Sequence, residues 1–137
     1  MKTYGELLSR HDIEIPPHLA DQVEVPVLTV IQRQGDLIIR PVRSRPGRQG
    51  AAVGHGVQVV HGEATGNTHW LHGDPGVLWT RLDLGQVVGV GDVPEGATAY
   101  LVHTDEHGAN GIGHMAGHSF EIRRKREMAD EIRNVAD

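Results

Sequence analysis

Residues 77–107 read "VLWTRLDLGQVVGVGDVPEGATAYLVHTDEH". The reading of this stretch decides the fold class. Two runs rich in apolar and β-branched residues, 77–85 and 86–93, meet at Gly85, and "PEGA" turns the chain into a third run, 98–107. Each run is too short for a typical helix and is bounded by Gly or Pro, the pattern of consecutive short strands.

The same pattern extends outward in both directions. Downstream, "HSFEIRRKREM" (118–128) alternates apolar and charged positions and is expected to be a strand. Between it and residue 107, the Gly-rich segment 108–117 reads as a loop. Upstream, 57–64 reads as a strand, and 65–73 as a turn followed by a short strand. Segments 25–33 and 36–42 read as strands joined at "QGD", and 43–56 as a polar, basic, Gly-rich loop. About eight short strands with no long helix predict an all-β domain, a small jelly roll, β-sandwich or barrel. No internal repeat stands out.

Residues 1–24 look separate from this body. "TYGELLSRH" has Thr3 as N-cap and Glu6 three residues later, the spacing of a capping box, and predicts a short helix. Pro16 and Pro17 cannot continue it. The expected organisation is an N-terminal arm (1–24) packed on the body or on a neighbouring subunit, a β-domain (25–128) and a C-terminal tail (129–137).

Composition narrows the chemistry. The chain has 137 residues and no cysteine, which excludes disulfides, thiolate metal sites and cysteine nucleophiles. No secretory signal and no membrane-length apolar run is visible, so a cytoplasmic protein with no membrane partner is expected. The net charge of −5 argues against nucleic acid as the main partner. Basic residues do gather at 40–48 and 123–126, but aromatic residues that would stack on bases are few. The second basic run reads better as a solvated edge strand guarded by charge. Only three serines occur, none in a nucleophile elbow, and no dinucleotide fingerprint is present.

Histidine is the conspicuous residue. There are ten, five of them in "HGEATGNTHWLH" (61–72) and "HTDEH" (103–107). Strand alternation puts His103, Asp105 and His107 on one face, and turns His72 away from the face of His69. If the strands carrying His69 and His103 are neighbours, then His69, His103 and His107 can converge as metal ligands. Glu63 or Glu106 would then be a fourth ligand or a general base. Imidazoles with one carboxylate suit Zn, Fe, Mn or Ni. Glu63 also has the alternative of a second-shell partner for a histidine N–H or an exposed turn carboxylate. His55, His61, His114 and His118 sit among glycines and read as exposed or pocket-lining; His11 and His18 lie in the arm.

The ordered set "QGDLII", "GEATGNTH", "VHTDEH" and "FEIRRKRE" resembles a family of small uncharacterised bacterial β-proteins. Their pattern runs "QGD", "GE-x-TGH-x-H", "H-x-x-E-H" and "R-x-R-E", over roughly residues 34 to 127 here. The resemblance implies Glu63, His69, His103, Glu106 and His107 as site positions, and no activity. This chain departs from the pattern at Asn67, where the family would have a histidine. The histidine and carboxylate set on short strands is also similar to cupins, a jelly-roll analogy at the level of fold.

Two functions follow as expectations. One is a metal-binding β-protein, enzymatic if a metal-bound water is left open to substrate. The other is a self-assembling homo-oligomeric module, such as a ring, shell or filament subunit, that uses its arm for subunit contacts.

Overall fold

Four evenly placed turns shape the molecule. Backbone N–H to C=O bonds close Val53–Gly56 (3.3 Å), Asp74–Val77 (3.1 Å), Pro94–Ala97 (3.1 Å) and Met115–His118 (3.0 Å). In the turn at 74–77, Pro75 presets φ at the second position and Gly76 takes φ +96° at the third, as a type II turn requires. Gly96 and Gly117 occupy the same third position with φ +81° and +72°. Each turn is a corner at which one long strand leaves one sheet and enters the other.

The computed structural model describes residues 2–9, 24–45, 50–60, 68–103 and 108–124. The elements are α1 (Tyr4–Ser9), β1 (Val27–Leu28), β2 (Gln32–Gln34), β3 (Leu37–Arg43), β4 (Ala51–Ala52), β5 (Val57–Val60), β6 (His69–Gly73), β7 (Leu78–Leu84), β8 (Val87–Asp92), β9 (Thr98–His103), β10 (Gly108–Gly113) and β11 (His118–Arg124). One sheet has the order β1-β10-β9-β6-β5 and the other β2-β3-β11-β8-β7-β4. The pairs β4–β5, β6–β7, β8–β9 and β10–β11 are thus four bent strands forming an antiparallel meander across both sheets. The all-β expectation is met in its two-sheet, sandwich form. Among the described residues no helix is long and apolar enough to cross a membrane.

The inner faces of the sheets make the main core. Leu37, Ile39, Leu71, Leu101, Phe120 and Ile122 are all at most 2% exposed and belong to it. Two glycines on β8 let the large rings fit. A Cβ at Gly91 would lie inside the Phe120 ring, and one at Gly89 would come within 2.5 Å of the Trp79 ring. Trp79 and Phe120 stack with centroids 6.3 Å apart. A smaller cluster lies on the other face of the five-stranded sheet. There Leu7 and Leu8 of α1 pack with Val25, Tyr100 and Val102, each leucine contributing about 1.5–3 kcal/mol by burial. The helix begins as the sequence suggested, with the Glu6 N–H donating to Thr3 Oγ1 at 3.2 Å. Next to this helix Thr3 and Glu24 form an isolated antiparallel bridge, and Val25 N–H donates to Lys2 O.

Several expectations are corrected. Segment 25–33 is not one strand: β1 pairs parallel with β10 in one sheet, and β2 pairs with β3 in the other. Residues 108–113, expected as loop, form β10, which pairs with β9 along its full length. Gly111 is small because Pro26 O would lie 2.6 Å from a Cβ there, and Gly111 N–H donates to that same carbonyl. Within the expected loop 43–56, β3 runs on to Arg43, and Ala51–Ala52 form β4. The strand carrying Arg123 is not an edge: β11 lies between β3 and β8. There Glu121 takes ion pairs from Arg40 at 2.9 Å and from Arg123 at 3.2 Å. The tail 129–137, and the ends of several expected strands, lie outside the described residues.

Candidate functional site

His69 starts β6 and His103 ends β9, and the two are Cα partners across the ladder. Alternation points both inward, on the faces that carry Leu71 and Leu101. Both are nearly fully buried, at 3% and 2% exposure. Their rings stack, with centroids 4.2 Å apart and planes 8° from parallel. The pair occupies the end of the sandwich opposite the four corners. His72, one face over, does not join it.

The turn between β2 and β3 closes over the pair. Gly35 has φ +55°, a conformation that L side chains rarely adopt, at the first position of the two-residue hairpin loop. A Cβ on Gly35 would lie 3.1 Å from His103 Cε1 and 3.4 Å from His69 Cε1. The "QGD" turn is therefore part of the site, and its glycine keeps the space above both rings open.

Beside the rings runs a chain of amides, buried Gln32 and Gln34 and half-buried Asn110, whose direction is set by backbone carbonyls. Gln32 Nε2 donates to Gly111 O at 2.9 Å, which leaves Gln32 Oε1 to accept from Asn110 Nδ2 at 3.1 Å. Asn110 Nδ2 also donates to Arg33 O at 3.2 Å, so Asn110 Oδ1 is the acceptor for Gln34 Nε2 at 2.8 Å. Gln34 Nε2 spends its second hydrogen on Leu101 O at 2.6 Å. Gln34 Oε1 is then left facing His69 Nδ1 at 2.8 Å, and an oxygen can only accept. His69 must carry its proton on Nδ1 and keep Nε2 as a lone pair. Burial, then the charge that His103 would carry, lower the His69 pKa from 6.5 to about 4. It is a neutral imidazole at every pH near neutrality.

The structure thus brings together two of the five site residues expected from sequence, His69 and His103. Glu63, Glu106 and His107, together with Asn67, lie outside the described residues. They fall in segments 61–67 and 104–107, which adjoin the pair in sequence directly before Thr68 and after His103. Among the described residues no three His, Asp or Glu side chains form a group that could hold a metal. Sequence reasoning missed Gln32, Gln34, Gly35 and Asn110. A signal was present: Gln32 and Gln34 share the strand face of Leu37 and Ile39 if β2 and β3 form a tight hairpin, so they had to point inward.

The family described as a domain of unknown function (DUF8820) has a model that matches residues 33–125. The chain belongs to this family. The DUF8820 match takes in Gln34, Gly35, His69, His103 and Asn110, and ends one residue beyond β11. It leaves out α1, β1 and Gln32. No curated protein and no solved structure matches the chain.

Proposed function

We propose that the His69–His103 end of this DUF8820 protein binds a divalent transition metal, Zn, Fe, Mn or Ni. His69 and His103 are the buried ligands. Glu63, Glu106 and His107 are the candidates for the remaining positions, with one of the carboxylates as general base if a bound water reacts. The observation that carries this reading is the hydrogen bond from His69 Nδ1–H to Gln34 Oε1. Metal-bound histidines characteristically give their second ring nitrogen to a fixed oxygen, which orients the ring and raises the basicity of the ligating nitrogen. A pKa of about 4 also means that the metal need not displace a proton from His69 at neutral pH.

The stack sets a condition on binding. Imidazole lone pairs lie in the ring plane, so two rings 8° from parallel and 4.2 Å apart hold their lone pairs in separate, nearly parallel planes. One ion bonded to both at about 2.0–2.1 Å needs them to converge. One of the two rings therefore has to turn, beneath a turn whose Gly35 has no side chain to block it. The test is equilibrium dialysis of untagged protein against each metal, followed by elemental analysis. About one tightly held ion per chain, lost in His69→Ala and in His103→Ala, is expected. A content far below one for all four metals would sink the reading.

A second reading, assembly into a homo-oligomer, is favoured by one patch. Leu28 at the end of β1, and Val30 and Ile31 on the segment linking β1 to β2, are 43%, 60% and 64% exposed, beside an open sheet edge. Apolar groups beside an unpaired edge suit pairing with a second copy. Light scattering on the eluting protein should give a dimer or larger that Val30→Asp with Ile31→Asp reduces to monomer. A wild-type chain that is monomeric at high concentration rules this reading out.

A further inference from the structure

At the corner end, far from the histidine stack, a pocket of about 260 Å³ opens between the ends of β3, β8 and β10. Its polar lining is Ser44, Asp92, His114 and His118, and Leu78 and Met115 supply apolar wall. Ser44 lies between Arg43 and Arg45 in the chain, but neither arginine lines the pocket.

The hydrogens of these groups are already committed elsewhere. Ser119, 2% exposed, donates its only hydroxyl hydrogen to Asp92 Oδ1 in a short bond. The 3.1 Å contact between Ser44 Oγ and Ser119 Oγ must therefore be donated by Ser44. Ser44 then has only lone pairs left to offer the pocket. His114 Nδ1 lies 2.7 Å from Val93 O, and His118 Nδ1 lies 2.9 Å from Ala116 O. Carbonyl oxygens cannot donate, so each imidazole carries a proton on Nδ1, and in its neutral form Nε2 is an acceptor. Asp92 retains a second carboxylate oxygen that bonds to nothing among the described residues. Carboxylate, hydroxyl oxygen and, in the neutral form, two imidazole nitrogens thus all accept, and no lysine or arginine among the described residues lines the pocket.

We propose that this pocket is a binding site for a small organic ammonium ion, a primary amine with a short apolar tail. A primary ammonium brings one positive charge and three donors, which matches one carboxylate and several neutral acceptors. Leu78 and Met115 give the tail its apolar surface. The volume equals roughly nine waters at about 30 Å³ each, which limits the ligand to a small molecule. An anionic ligand would repel the Asp92 carboxylate, and a neutral one would leave its charge uncompensated.

The test is a titration of the full chain, isotope-labelled, with butylammonium at pH 8, followed by backbone amide spectra. Tetramethylammonium, which has the charge but no N–H, and butanol, which lacks the charge, are the controls. Saturable shifts confined to residues near 92–94 and 114–118 are expected for butylammonium and not for the controls. Asp92→Asn should weaken binding about tenfold or more. Ser44→Ala, which leaves the Ser119–Asp92 bond in place, should weaken it less. No saturable shift, an equal response to tetramethylammonium, an unchanged affinity in Asp92→Asn, or a response to Zn²⁺ with none to butylammonium would each overturn the proposal.

Discussion

Acid should weaken this fold through His69 in a defined window. In the unfolded chain the imidazole takes up a proton near its ordinary pKa of 6.5, but in the folded chain it does so only near 4. Between those values the unfolded state binds more protons, so stability rises with pH across the window. The His69 contribution is fully present above about 6.5, shrinks as pH falls, and is gone below about 4. At about 1.4 kcal/mol per pK unit, the loss is about 2 kcal/mol at pH 5 and about 3 kcal/mol below pH 4. Other groups titrate in the same range, so the comparison has to isolate His69. His69→Asn does this: its amide Nδ2–H can still donate to Gln34 Oε1, and it does not titrate. Urea unfolding of both proteins, in chelator, at pH 7 and pH 5 gives the two losses. The wild type should lose about 2 kcal/mol more than the variant. Equal losses would refute the claim that His69 is buried neutral beside a second imidazole.

Two further pairs of substitutions probe the core and the amide chain. Gly91→Ala puts a methyl group into the Phe120 ring, so it should cost about 3 kcal/mol in chemical denaturation, whereas Gly96→Ala faces open space and should cost less, through its positive φ alone. Similar costs for the two would contradict the packing of Phe120 over Gly91. Gln34→Leu strips partners from Leu101 O, Asn110 Oδ1 and His69 Nδ1–H together. It should cost about 3 kcal/mol or more and weaken metal uptake, whereas Gln34→Glu, which keeps an acceptor for His69, should retain most of the uptake. Normal uptake by a folded Gln34→Leu protein would show that the amide chain does not orient His69.

The strands were legible where side chains alternate or β-branched residues run together, as in 77–93 and 98–103. The same alternation put His69 and His103 on compatible faces and turned His72 away, and the ladder pairs the first two directly. What could not be read is what depends on a partner far along the chain. β10 is made of small residues because Pro26 and Val27 pass against Gly111, so its sequence "GANGIG" carries no strand signal of its own. Arg123 reads as a solvated charge until Glu121 and Gln86 are placed beside it. Gln32 and Gln34 carry an inward signal only through the β2–β3 register, and nothing local reveals that Asn110 and two backbone carbonyls wait on the other sheet. The corners recur at nearly equal intervals, yet only a Gly at the third turn position is shared by three of them, too little to register as a repeat. The residues that could complete the site, Glu63, Glu106 and His107, still rest on sequence position.

The most direct test of the central claim is nitrogen NMR of the His69 and His103 imidazoles, before and after addition of Zn²⁺. In the free protein His69 should show a protonated Nδ1 and a bare Nε2 from neutral pH down to near pH 5. On adding metal, the Nε2 resonance of His69 should move, His103 should respond with it, and the shifts that the stacked rings impose on one another should vanish. A His69 protonated on Nε2, or a stack that stays unchanged at saturating metal, would contradict the account.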